Sequence, residues 1–166
     1  MQFKVEHRFS NIALADFEKL YLDETCNIAL CNAVKLVRTL VKMEDNGGKL
    51  HRVVKVCPDR ELPGPVAKVL GTAKLEYTEY LDYTWGTNRG TWKTISAVMT
   101  DKVASSGTFG FRQEGSQVVR TVEGDVKVSI FGLGGLVERG IIADVEKSYV
   151  QAAEFMQRWI NNGGKA

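Results

Sequence analysis

The chain predicts an α+β domain: a curved, seven-stranded antiparallel sheet, two short helices after the first strand, and one long C-terminal helix across the sheet. Three observations carry that prediction. Segments alternating between apolar and polar residues follow one another through short turns, which antiparallel pairing permits and parallel pairing does not. Two short helix-like segments stand between the first and second strands. The C-terminal stretch changes to a helical period and keeps it for about 28 residues, or ~42 Å at 1.5 Å per residue.

Phe3, Val5, His7 and Phe9 alternate with Gln2, Lys4, Glu6 and Arg8, the mark of a half-buried strand. Ala13 to Leu20 then brings Leu14, Phe17, Leu20 and Tyr21 to helical spacing. Asp23-Glu24-Thr25 puts acidic residues where helix amides favour negative charge, so a second helix continues through Cys31. Val34 to Met43, rich in Val, Leu and Thr, reads as a strand. Asn46-Gly47-Gly48 turns it back into Leu50 to Cys57, and Pro58 stops that strand. Leu62-Pro63-Gly64-Pro65-Val66 opens one or two helical turns through Val69-Leu70, with Pro65 accommodated at the start and Gly71 at the end. Leu75 to Trp85, Trp92 to Met99, Val103 to Arg112 and Gln117 to Ile130 complete the sheet. The terminal helix carries Leu133, Leu136, Val137, Ile141, Ile142, Val145, Tyr149, Met156 and Trp159 in its apolar stripe, and Gly163-Gly164 ends it.

With 166 residues and no linker, repeat or low-complexity tract, the whole of 1–166 reads as a single domain. Its 22 basic and 20 acidic residues are scattered and nearly balanced, so nucleic acid is not an expected partner. Three cysteines cannot pair fully, and the N-terminal MQFKVEHRF is not a signal region. No run is long enough for stable membrane insertion. A cytoplasmic protein with reduced, buried thiols is expected.

The most motif-like run is Ile130-Phe131-Gly132-Leu133-Gly134-Gly135-Leu136-Val137-Glu138-Arg139-Gly140. A phosphate loop would need Lys and Ser or Thr where Leu136 and Val137 stand, and a dinucleotide fingerprint begun at Gly132 meets Val137 at its sixth position. The run also opens the last helix rather than a βαβ unit. It reads instead as a hinge, in which Gly132, Gly134 and Gly135 supply unusual backbone angles or close approach. No cofactor is expected. His7 and His51 lack ligand partners at recognised spacings, and Cys26 and Cys31, five apart, point to different helix faces, so no metal site is expected. No nucleophile elbow occurs, and no catalytic residue is assigned.

Aromatic and polar residues on apolar strand faces are the better lead. Tyr77, Tyr83, Trp85, Trp92, Phe109, Phe111 and Phe131 fall in sheet segments, and Tyr149, Met156 and Trp159 on the long helix. They either fill a core or shape an apolar pocket. Glu79 shares parity with Tyr77, Leu81 and Tyr83, Arg120 with Val118 and Val122, and Arg52 with Leu50, Val54 and Val56. A charge facing a dry core is costly, so each must be paired, solvated or turned to a ligand. Glu79 and Arg120 pairing with each other would satisfy both. The candidate cavity lining is Tyr77, Glu79, Tyr83, Trp85, Trp92, Phe109, Phe111, Arg120, Tyr149 and Met156, with Gly86 to Gly90 and Leu62 to Pro65 as rim elements.

The order of elements, with the glycine-rich turn into a long terminal helix, resembles the START-like (SRPBCC) superfamily over roughly Phe3 to Ile160, and a bacterial branch of it in particular. Relatives in that superfamily include polyketide cyclases and aromatases, pollen-allergen-like proteins, lipid-transfer domains and coenzyme-Q-binding proteins. The resemblance implies a helix-grip fold and a cavity between sheet and helix for a small hydrophobic molecule such as a lipid, isoprenoid, steroid-like or aromatic compound. Its polar cavity residues vary, so it assigns no catalytic position. Two other readings stay open: a cyclase-, aromatase- or hydrolase-like enzyme, with Glu79 or His51 as acid or base, and a protein-interaction module with a packed core. No protein partner is named by the sequence.

Overall fold

A computed structural model describes residues 1–59 and 61–165. Its elements are β1 (Gln2–Phe9), α1 (Leu14–Leu22), α2 (Glu24–Ala33), β2 (Leu36–Asp45), β3 (Lys49–Pro58), α3 (Gly64–Leu70), β4 (Tyr77–Thr84), β5 (Arg89–Ser96), β6 (Val103–Glu114), β7 (Gln117–Val128) and α4 (Gly134–Asn161). The strands form one seven-stranded antiparallel sheet in the order β1-β7-β6-β5-β4-β3-β2. The long helix α4 lies against β7 and β1 and touches α2 and α3, the helix-grip arrangement. Among the described residues no helix is long and apolar enough to cross a membrane.

The inward face follows the period-2 pattern. Phe3 and Phe9 of β1, Val118, Val122 and Val126 of β7, Phe109 and Phe111 of β6, and Leu81 and Tyr83 of β4 are buried in one core. From α4 come Val137, Ile142 and Met156. Asp23 caps α2 by accepting from the Cys26 amide at 2.8 Å, which is why the acidic cluster there starts a helix. In β2 the register slips between Leu40 and Lys42, a bulge that turns this edge strand.

Several boundaries move. The strand expected from Val34 starts at Leu36, because Val34 closes α2 and Lys35 takes a left-handed φ of 58°. The last strand stops at Val128 rather than Ile130, and Phe131, expected in the sheet, stands fully in solvent in the turn that follows. Leu133 and Leu136, expected in the buried stripe, are exposed, whereas Val137 is completely buried. The hinge explains this: Gly132 turns at φ 71°, and a side chain on Gly134 would meet the Val128 carbonyl oxygen at 2.4 Å. The helix therefore starts hard against the end of β7, and its burial begins one turn later than the period alone indicates. Gly135 has neither a left-handed angle nor a close neighbour.

Candidate functional site

Between the sheet and α4 lies a cavity of about 260 Å³. Its floor is the inward face of β3 to β7; α2 and the end of α1 form one wall, and the middle of α4 forms the roof. Much of the lining is apolar, including Val54, Val56, Leu81, Leu30 and Val145.

Two glycines lie beneath the aromatic part of the floor. Gly107 of β6 pairs with Gly124 of β7, and in the same row Trp92 of β5 pairs with Gly107 and Phe3 of β1 with Gly124. A Cβ on Gly107 would lie 1.9 Å from the Glu123 carbonyl oxygen, and one on Gly124 would meet Phe3 and Trp92 at 2.6 Å. Bare backbone at Gly124 leaves room for the Phe3 and Trp92 rings, whose centroids lie 6.1 Å apart.

Polar groups are set into this floor in two places. Glu79, Thr94 and Ser105 are register partners on β4, β5 and β6, and the Thr94 and Ser105 hydroxyls bond to each other at 2.5 Å. Beside them runs a chain of ions. Glu24 of α2 accepts from both terminal nitrogens of Arg38 at 2.6 and 2.8 Å, and from Arg52 at 3.2 Å; Arg52 in turn faces Glu79 at 3.7 Å. The side chains of Arg38 and Arg52 are each only 5% exposed. Burial alone would raise the Glu24 carboxyl, but the Arg38 hydrogen bonds and both guanidiniums hold it below the usual range. These ion pairs fasten α2 to β2 and β3.

Arg120 makes the second place. It is 1% exposed, and its Cζ lies 5.5, 5.8 and 5.1 Å from the ring centres of Phe9, Tyr21 and Tyr149. Its Nη2 donates to His7 Nδ1 at 3.0 Å and its Nη1 to the Met156 sulfur at 3.7 Å. Burial first, and the guanidinium second, push the His7 pKa down, in keeping with a neutral ring that accepts from Arg120.

Of the residues singled out in the sequence, the cavity wall contains Tyr77, Glu79, Trp92, Phe109, Arg120, Tyr149 and Met156. Tyr83, Trp85 and Phe111 fall outside it. Tyr83 stacks on Phe109 and meets Trp85 edge-on, and Phe111 packs on Phe17 and Tyr21, so they join the aromatic core that fills the end of the sheet under α1. There Glu18 is buried and accepts from the Tyr83 hydroxyl at 2.6 Å and the Gly86 amide at 2.7 Å, tying the Gly86–Gly90 turn to α1. Leu62, from the other expected rim segment, does line the cavity. Glu79 and Arg120 do not pair: Glu79 is engaged by Arg52 on the neighbouring strand, and Arg120 by His7 on β1. His51, the other acid–base nominee, points out of the sheet and bonds Asp82 at 2.7 Å. It borders a second, more open depression of about 930 Å³, which includes Thr91, Thr108 and Thr121, and it does not line the first cavity. No group of three His, Cys, Asp or Glu side chains among the described residues could hold a metal ion.

The family described as "Protein of unknown function (DUF2505)" matches residues 5–160. The chain belongs to that family. No curated protein matches it. Among solved structures it is similar to TTHA0849 from Thermus thermophilus, with a TM-score of 0.71 and 12% identity over 99% of this chain and 100% of that one. It is also similar to protein Ms6760 from Mycobacterium smegmatis (TM-score 0.62, 11% identity, 95% and 88% coverage). A START superfamily protein from Mycobacterium smegmatis matches with TM-score 0.56 and 11% identity over 97% of each chain. The DUF2505 chain thus has the fold of the START-like (SRPBCC) superfamily.

Sequence reasoning missed Tyr21, Glu24, Arg38, Thr94, Ser105 and the Gly107–Gly124 pair as parts of this site. Thr94 and Ser105 have the inward parity of Trp92 and Phe109, a signal available in the strand pattern. Glu24 was legible only as a helix-start acid, because its arginines are 14 and 28 residues away.

Proposed function

We propose that this chain binds a small hydrophobic molecule in the cavity between the sheet and α4. The observation that carries the reading is a space of about 260 Å³ inside the domain, largely apolar in lining yet bordered by a few oriented polar groups. That volume exceeds the roughly 150 Å³ that accommodates benzene in an engineered apolar cavity. It falls just below the ~300 Å³ at which drug-sized pockets begin. One or two fused rings, or a short isoprenoid, suit it better than a two-chain lipid. Burying apolar ligand surface supplies the attraction, at roughly 25 cal/mol per Å². The carboxylates of Glu24 and Glu79 are engaged by guanidiniums, which favours retention of a ligand over acid–base chemistry.

Native mass spectrometry of freshly purified protein, followed by denaturing extraction, tests the reading. A retained species of about 100–250 Da, displaced by added naphthalene-sized compounds, is expected for a pocket of this size. Protein that carries nothing and takes up no such compound would overturn it.

A further inference from the structure

We propose that the ligand carries a carboxylate, which docks against Arg120 between Tyr21 and Tyr149; this rests on the binding reading above and names the chemical class within it. Arg120 rises from the middle of β7 into the interior, where it is 1% exposed and borders the cavity. Its partners are all neutral: the His7 ring, the Met156 sulfur, the Tyr149 carbonyl at 3.5 Å and the three aromatic faces. Its Nε–H, like that of Arg52, has no acceptor among the described residues. No carboxylate among those residues forms an ion pair with it.

The carboxylates of Glu61 and Asp144 also line the cavity, and the charges set deeper are paired. Arg38 and Arg52 share Glu24, Arg52 also faces Glu79, and Glu18 is held by Tyr83 and Gly86. Withdrawing an ion from water is costly even after relaxation. Cation–π contacts and neutral hydrogen bonds offset part of that cost. These neutral contacts orient the guanidinium without cancelling its charge. A neutral acceptor on the ligand would leave the charge in place; an anion removes it and gains a charge-assisted hydrogen bond.

The surroundings suit an anion's oxygens. Tyr21 and Tyr149 both line the cavity next to Arg120. Burial pushes both phenols above their ordinary pKa, Tyr149 strongly, so both remain O–H donors at neutral pH. Glu79 shares this neighbourhood but faces Arg52, and no ion pair joins it to Arg120. The rest of the ligand would then extend along the apolar floor toward Trp92 and Val54.

Isothermal calorimetry at pH 7.5 with 1-naphthoate and its neutral counterpart 1-naphthalenemethanol tests the proposal on the intact chain. The wild-type protein is expected to take 1-naphthoate about 10- to 100-fold more tightly, the range of a hydrogen bond to a charged group. Arg120→Met should erase that preference and leave the alcohol's affinity within about threefold. Tyr149→Phe keeps the ring over Arg120 and removes one donor, and should weaken 1-naphthoate alone by roughly 3- to 10-fold. The wild-type comparison requires no variant to fold, so it decides the matter even where Arg120→Met is unstable. Equal or tighter binding of the alcohol overturns the carboxylate and leaves the binding reading standing, as does a preference that survives Arg120→Met. Binding of neither compound overturns both.

Discussion

Replacing Glu24 with Gln tests whether α2 is held to the sheet by charge. Glu24 receives hydrogen bonds from Arg38 at 2.6 and 2.8 Å and from Arg52 at 3.2 Å, and both arginine side chains are 5% exposed. Removing one partner of a buried ion pair costs about 3–5 kcal/mol, because the remaining charge stays uncompensated. Glu24 itself is 22% exposed, which admits some screening, and Gln retains one acceptor. A loss of about 2–3 kcal/mol is therefore expected, which for a chain of this size lowers Tm by roughly 4–12 °C. The Glu24 carboxyl titrates below its ordinary value of 4.5 when folded, so its stabilisation is complete above the unfolded-state pKa and disappears as pH falls through the folded one. Urea unfolding of wild type and Glu24→Gln should show the full gap at pH 7 and a narrowing gap below about pH 4. In an Arg38→Met background the same substitution should cost less, since the two residues act as a unit. A gap under about 0.5 kcal/mol at pH 7, typical of an ordinary surface change, would refute the reasoning. So would a gap that stays constant into acid.

Gly107→Ala should destabilise by about 2 kcal/mol or more in urea melts, since its Cβ would lie 1.9 Å from a backbone oxygen. Gly124→Ala presses on the Phe3 and Trp92 rings instead, so a smaller loss and a shifted tryptophan emission are expected. Tyr83→Phe removes the 2.6 Å bond to buried Glu18 and leaves it only the Gly86 amide, costing about 1–3 kcal/mol by thermal unfolding. With iodoacetamide at pH 8, half-buried Cys57 should label first in the native chain. Burial pushes the Cys26 thiol up to about 12 and the Cys31 thiol up to about 11, so mass spectrometry should find these two modified only after unfolding.

The sheet and its inward face were legible because a period of two leaves little freedom: once Leu81 and Tyr83 are inside, Glu79 and Tyr77 face the same way. Which inward positions border open space is a different question. Tyr83 and Phe111 have the same parity as Glu79 and Phe109, yet they lie where α1 presses Phe17 and Tyr21 onto the sheet, and that end is filled. Farther along, α2 and α4 stand off from β3 to β6, and the same parity borders the void. Parity is a local property. Coverage depends on where a helix docks, and in α2 that is decided by Arg38 and Arg52 capturing an acid that the sequence marks only as a helix start.

The same distinction governs the three charges that parity placed on the apolar face. Arg52, Glu79 and Arg120 looked alike in the sequence, and mutual pairing of Glu79 with Arg120 was the economical solution. The register rules it out as a short-range device: Glu79 on β4 is separated from β7 by β5 and β6, whereas Arg52 sits on the adjacent strand β3. Arg52 and Glu79 therefore enter the ion chain that anchors α2, with the Arg52 Nε–H left without an acceptor among the described residues. Arg120, on β7, meets rings, a sulfur, a carbonyl and an imidazole among the described residues. Side chains at Gly107 and Gly124 would collide with backbone or with Phe3 and Trp92, so glycine there lets two rings of the cavity wall pack close to the sheet. Arg120, on the cavity border, forms no ion pair with a described carboxylate, and that leaves a place for an anion.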